Sequence, residues 1–236
     1  MRLRIRLAIL ASVAGAAVLG AFPAMPVPSP TTAFPAAGEL VVSAVTARSA
    51  PDAHARPVRI LRQFRKDFRP EVILVLESRN DLDGRPWYRI SLPGRPNGGR
   101  GWVRADLVDV RPVGNRLIIH RGARTLEVRR IRDQRLLLRT RIAVGRPSAQ
   151  TPLGRDFYVR SRFVPANAFL GIFALETSAY APLSDWPGDG VVGIHGTSVP
   201  SSIGRAASHG CVRLLNRDVA KLKYLAPVGT PIDVLP

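Results

Sequence analysis

The chain has 236 residues, 46% of them apolar, and a net charge of +18. That length suits one large domain or two small ones, and the apolar content is enough for a buried core. The basic residues are spread along the chain without a nucleic-acid-binding motif, which argues against nucleic acid as partner and leaves an anionic membrane surface, an acidic polymer or a plainly basic solvated surface.

The N-terminus carries three Arg within residues 1–6, followed by an uncharged stretch over residues 7–22. This is the charged and apolar pattern of an export segment, here residues 1–22. The apolar run is long for a cleaved signal and short for a membrane span, so cleavage and retention both stay open. Retention would tether the protein to a membrane through residues 7–22. Either way the body of the chain is expected outside the cytoplasm, in the periplasm or cell wall. Residues 23–38 are rich in Pro and Ala with no charge, and read as a flexible linker.

Residues 39–112 read as a small all-β module. Residues 40–45 are a short apolar segment, and residues 72–76 a continuous apolar strand. Asp81-Leu82-Asp83-Gly84 is a turn, and residues 87–92 alternate after it. Residues 93–101 form a Gly/Pro-rich connection, and Gly101-Trp102-Val103 opens a last strand. Short strands with turn chemistry between them suggest a small barrel. Trp87-Tyr88-Arg89-Ile90, Gly101-Trp102-Val103 and the closing Leu107-Val108 give the module a resemblance to bacterial SH3-like domains. That resemblance implies wall-peptide binding or positioning of an enzyme; a structural spacer with core tryptophans reads equally well.

Residues 114–236 form a second β-rich unit. Strands are expected over residues 116–120 and 125–131, the latter with Leu126 and Val128 on one face. Residues 132–135 turn, residues 136–144 return as the partner strand, and Gly145 breaks it. Residues 157–163 and 191–195 are further strands. Residues 168–175 are apolar, and residues 178–190 read as a loop. The whole connection from Phe163 to Gly190 is long enough to be a lid. One helix is expected after Asn216, which is placed to cap it, with Asp218 in the first turn, Leu222 and Leu225 on one face and Pro227 ending it. A final strand covers residues 230–235. His54 and His120 read as structural.

The chemistry concentrates between Val191 and Leu215. Two of the four histidines, His195 and His209, lie within 16 residues of the only cysteine, Cys211. A lone thiol in an exported chain calls for intermolecular pairing, a reactive role, or burial as an inert small hydrophobe. A thiol attacks carbonyls as thiolate and needs a base or positive charge nearby, and a histidine supplies both. Spacing alone favours His209, two residues away. Gly210 lets a carbonyl approach the backbone N–H groups around Cys211, a route to an oxyanion hole. Arg213 shares a strand face with Cys211 and suits a carboxylate. His195, His209 and Cys211 are also zinc-type ligands, but three are too few for a structural site and the spacing matches no common one.

Ile194-His195-Gly196-Thr197, Ile203-Gly204 and Ser208-His209-Gly210-Cys211-Val212-Arg213-Leu214 together resemble the active-site signature of L,D-transpeptidases with a YkuD-type catalytic domain. Thr151-Pro152-Leu153-Gly154 and Gly229-Thr230-Pro231-Ile232 are similar to further family segments, so the resemblance covers residues 114–236. It implies a mainly β fold: a small SH3-like barrel, then a β-sandwich-like catalytic domain with one C-terminal helix. It implies Cys211 as acyl-forming nucleophile and His195 as its base. It also implies backbone donors at His209, Gly210 and Cys211, and Ser208, Gly196 and Arg213 supporting or binding substrate. Many members carry Asn where this chain has Arg213. The implied partners are peptidoglycan stem peptides and anionic wall polymers, and the implied cofactor or metal requirement is none. The activity would be cross-linking of stems. An L,D-carboxypeptidase or a non-catalytic wall-binding protein are the alternatives.

Overall fold

The computed structural model describes residues 33–182 and 190–236. The export segment and residues 23–32 lie outside them. Residues 32–236 form one compact unit.

In that unit β1 (Ala36–Leu40), β2 (Ala44–Arg48), β3 (Pro57–Arg62), β4 (Val72–Asn80), β5 (Pro86–Ser91), β6 (Arg100–Arg104) and β7 (Val108–Pro112) make one antiparallel sheet. Their order is β3-β2-β6-β5-β4-β1-β7. Ile73, Val75, Ile90, Val103 and Leu61 gather in its core. Three details differ from the sequence reading. β1 begins at Ala36, inside the stretch read as linker, because that segment pairs with both β4 and β7. Residues 40–45 are not one strand: the chain bends at 41–43, where the Val41 N–H donates to Leu107 O at 3.1 Å. β3 escaped notice because Leu61 is its only buried side chain, so a surface edge strand carries almost no apolar signal.

The turn at Asp81 forms as its residues require. One carboxylate oxygen accepts from the N–H groups of Asp83 and Arg85, and the other from Trp87 Nε1 at 2.9 Å. The Trp87 hydrogen bond, followed by the backbone donors, outweighs desolvation and holds the Asp81 carboxyl below its ordinary 3.8.

The second half contains β8 (Asn115–His120), β9 (Thr125–Arg130), β10 (Leu136–Arg141), β11 (Val144–Gly145), β12 (Gly154–Phe163), β13 (Ala174–Tyr180), β14 (Val191–His195), β15 (Ala206–Ser208), β16 (Val212–Arg213), α1 (Asn216–Leu225) and β17 (Pro231–Leu235). The larger sheet runs β10-β9-β8-β17-β12-β13-β14-β16, and β11 pairs with β15 beside it. Period-two alternation fixes the register. Leu117 lies opposite both Val128 and Ile232, and Ile119 opposite both Leu126 and Val234. These six side chains are buried in one layer, each contributing about 2 kcal/mol of apolar burial. Residues 163–190 are not one long loop: β13 occupies the middle of that span and pairs with β12 and β14. The reading of the whole connection as a lid therefore fails, because its apolar residues build a central strand. Among the described residues no helix is long and apolar enough to cross a membrane.

The two sheets are joined by charge. Arg65, on the β3–β4 connection, donates from Nη2 to both oxygens of Glu176 on β13, at 2.8 and 2.7 Å. Arg160 on β12 donates to Glu71 through Nε at 3.0 Å and Nη2 at 2.5 Å, and its Nη1 lies 3.6 Å from Glu176. All four side chains are 10–13% exposed. Burial alone would lower the two guanidinium pKa values; hydrogen bonds to the carboxylates overcome it, and both end raised. The fully buried Tyr158 lies beside this cluster, and burial pushes its hydroxyl pKa up. Arg100 and Arg116 share Asp156, and the Asn97 amide bonds both backbone groups of Tyr180.

Glu71→Ala is expected to cost about 3 kcal/mol in urea denaturation, because it strands a buried guanidinium. Glu71→Leu combined with Arg160→Met should cost clearly less than Glu71→Ala, since it removes both charges of that pair. Asp81 gives a second test. Its folded pKa is depressed, so its stabilisation is fully present above the unfolded value and disappears as pH falls through the folded one. Asp81→Ala should lower the melting temperature at neutral pH, and by progressively less as pH falls below the carboxyl's ordinary 3.8.

Candidate active site

Cys211 sits immediately before β16, fully buried and packed against Ala174 and Val191. Its position is set by a closed turn. Ser208 Oγ donates to Cys211 O at 2.5 Å and accepts from the Gly210 N–H at 3.2 Å. Thr151 Oγ1 donates to Gly210 O at 2.9 Å and accepts from the Gly145 N–H at 2.9 Å. Gly210 adopts φ 114, a conformation that L side chains rarely take. The glycine is thus required by the backbone itself. Its N–H is engaged by Ser208 Oγ, an arrangement the sequence reading did not foresee for a candidate oxyanion donor.

β14 and β16 run parallel, with Ile194 opposite Val212 and His195 opposite Arg213. The Gly193 N–H donates to Cys211 Sγ at 3.3 Å. Residues two apart on a strand share a face, so Gly193, His195, Cys211 and Arg213 form a two-by-two patch. His195 and Cys211 are its diagonal neighbours, about 8 Å apart at Cα by ordinary strand spacing. His195 is fully buried, and its Nδ1 lies 2.6 Å from Gly196 O. A carbonyl only accepts, so Nδ1 carries the proton and Nε2 is the basic nitrogen. The Gly193 donor favours a negative sulfur.

Gly196 is packed rather than open. A Cβ there would meet Asn216 Oδ1 at 2.2 Å and the Gly171 Cα at 3.0 Å. Its N–H donates to Phe173 O at 3.2 Å. Arg213 is buried, with Cζ 4.9 Å from the centre of the Phe169 ring, and its backbone bonds Ala143 in both directions. His209 is half-buried in the turn. Among the described residues no three His, Cys, Asp or Glu side chains gather where they could hold a metal.

Asn216 does not cap α1. Leu215 occupies the cap position, and Asn216 Oδ1 accepts instead from the Thr197 N–H at 3.2 Å. The helix thereby holds the loop that follows His195. Four participants went unrecognised in the sequence. Gly193 carried a usable signal, since a glycine inside a strand marks a close approach. Thr151 was noted only as part of a turn. Phe169, on the short 3-10 turn Ala168–Leu170, gave no signal at all. Glu176 was also missed: it lies opposite Gly193 on β13, so the Arg65 ion pair is one strand away from the residue that touches the sulfur.

Residues 114–234 match the family model for the YkuD L,D-transpeptidase catalytic domain. The "Putative L,D-transpeptidase YkuD" of Bacillus licheniformis is 30% identical over 181 residues, covering 77% of this chain and 96% of that protein. The protein of the same name from Bacillus subtilis is 31% identical over 144 residues, covering 61% and 80%. Among solved structures, an L,D-transpeptidase from Mycobacterium smegmatis aligns at TM-score 0.43 and 18% identity, over 70% of this chain and 90% of its own. The catalytic domain of the Enterococcus faecium L,D-transpeptidase aligns at TM-score 0.38 and 25% identity, over 51% and 96%. The chain belongs to the L,D-transpeptidase family, with residues 114–234 as its YkuD-type catalytic domain.

Proposed function

We propose that this protein is an exported cysteine acyltransferase that cross-links peptidoglycan stem peptides during cell-wall biogenesis, with Cys211 as nucleophile. One observation carries the reading: the Gly193 N–H lies 3.3 Å from Cys211 Sγ, on the strand whose next same-face residue is His195. A donor at the sulfur and a tautomer-fixed imidazole on the same face suit a thiolate nucleophile.

In this mechanism His195 Nε2 takes the thiol proton. The thiolate attacks the carbonyl carbon of the third stem residue, an L centre. Backbone N–H groups at the turn, those of His209 and Cys211, receive the developing oxyanion. The C–N bond to the terminal D-alanine breaks, and His195 returns the proton to the leaving amine. A thioester to Cys211 remains. An amine of a neighbouring stem then attacks the thioester carbonyl and gives a proton to His195 Nε2, the C–S bond breaks, and the thiolate is regenerated as the new amide forms. Water in place of the amine gives a tripeptide stem instead. No cofactor enters these steps. Ser208 and Thr151 hold the turn. Arg213, whose guanidinium lies over the Phe169 ring, is assigned to a stem carboxylate because a planar guanidinium suits that group. We read residues 36–112 as an SH3-like module that positions this domain on the wall.

Incubating the protein and Cys211→Ala with disaccharide-tetrapeptide fragments tests the reading by product mass. The expected product is a dimer short of one D-alanine, absent with Cys211→Ala. Tripeptide monomer alone would assign a carboxypeptidase, and no product with no thioester on Cys211 would assign a non-catalytic wall-binding protein. Gly210→Ala should fold but lose at least tenfold in kcat. The cause is that forcing a side chain into φ 114 costs roughly 1–2 kcal/mol and shifts the nucleophile, where about 1 Å of misplacement is enough to cost ~100-fold.

A further inference from the structure

A cleft of about 640 Å³ opens where the two sheets and the end of α1 meet, and neither Cys211, His195 nor Arg213 lines it. Its cations are Arg69, Arg111, Arg160, Arg162 and Lys223, and one carboxylate, Glu39, joins them. Two of the five are neutralised locally: Arg160 by Glu71, and Arg111 by Glu39 at 3.7 Å. Arg69 is half-exposed, lies 3.9 Å from Asp67 and donates to Ser161 Oγ at 2.7 Å. Arg162 and Lys223 have no carboxylate partner among the described residues. Arg162 Nη1 donates to Lys223 O at 2.8 Å, and Lys223 Nζ lies 5.9 Å from the centre of the Tyr224 ring. The floor is apolar, built from Pro70, Val72, Phe173 and Val228.

Uncompensated cations at a concave surface focus positive potential into it and favour an anion there. The volume is that of a pocket for a short oligomer rather than a single ion. The apolar floor selects among anions. A phosphodiester chain offers it little to bury. A peptide with carboxylates separated by methyl and methylene groups offers both the charge and the apolar contact.

We propose that this cleft is a second, non-catalytic binding site for the carboxylate-bearing stem peptides of peptidoglycan, which holds the enzyme on the wall while Cys211 reacts elsewhere. It rests on the transpeptidase reading for the identity of the polymer. It does not rest on turnover.

The test therefore uses the full chain carrying Cys211→Ala, sedimented with purified sacculi stripped of phosphodiester polymers, across a range of salt. Lys223→Glu should weaken binding about fivefold at low salt and flatten its salt dependence, and Lys223→Gln should fall between it and the parent. Arg132→Glu is the control. That side chain is 76% exposed on the β9–β10 turn, so it makes the same change of net charge outside the cleft. Melting curves check that each variant is folded. Equal binding by Lys223→Glu and Arg132→Glu would overturn the proposal. So would binding that disappears when phosphodiester polymers are stripped, or no binding by the parent at all. The product assay above reads turnover and this one reads retention, so failure of either reading is visible separately.

Discussion

A backbone N–H donating to a sulfur at 3.3 Å requires the two strands that carry them to lie side by side in one register. In this protein the parallel pairing of β14 with β16 supplies it, and most of the site follows from that pairing. Two residues further along the same faces come His195 and Arg213. The pairing is short, however, and two residues of β16 would not hold it alone. The supports come from outside the sheet. Ser208 and Thr151 lock the turn before Cys211, Ala143 pairs with Arg213 on its other side, and Asn216 holds the loop after His195. Each support is a hydrogen bond to backbone, so the geometry at the sulfur depends on main-chain positions more than on packing of large side chains.

The N-terminal sheet belongs to the same arrangement. β13 lies beside β14, and its Glu176 sits opposite Gly193. Arg65 reaches Glu176 from the other sheet, and Arg160 ties the same carboxylate to Glu71. Buried ion pairs of this kind add little net stability relative to apolar residues, but they tolerate only one geometry. At this interface they fix the orientation of one sheet against the strand beside the one that carries Gly193 and His195. This makes the first module a structural support of the site as well as a unit with its own core.

The sequence showed the strands whose faces alternate cleanly, such as β8, β9 and β17, because period-two burial is written directly into Leu117, Ile119, Leu126, Val128, Ile232 and Val234. It also singled out Cys211 as the candidate nucleophile, since a single cysteine flanked by His and Gly is a dense local signal. What it did not show is contact between distant segments. Thr151 meets Gly210 across 59 residues and Arg65 meets Glu176 across 111. Nothing in the local pattern at either end announces the partner. Asn216 illustrates the competition involved: it has the chemistry of a helix cap, yet the Thr197 N–H claims its oxygen. β13 was obscured for a different reason. Its Glu176, Thr177 and Ser178 look like loop residues, yet Glu176 is met by Arg65 from the other sheet and Thr177 and Ser178 are buried.

The same interface accounts for where the positive charge acts. The carboxylates of the second sheet that face the first, Glu176 and Asp156, are all engaged by arginines. Guanidinium is suited to this because its planar fork can hold a carboxylate by two bonds while partly buried. Acids used in this way are not available to neutralise the rest of the surface. At the rim of the junction Arg162 and Lys223 are left without a carboxylate partner among the described residues. A basic composition alone would spread a weak attraction over the whole molecule. Where Arg162 and Lys223 lack a carboxylate partner among the described residues, that attraction has a local centre, and a cleft with an apolar floor can discriminate between polyanions where a uniformly charged surface cannot.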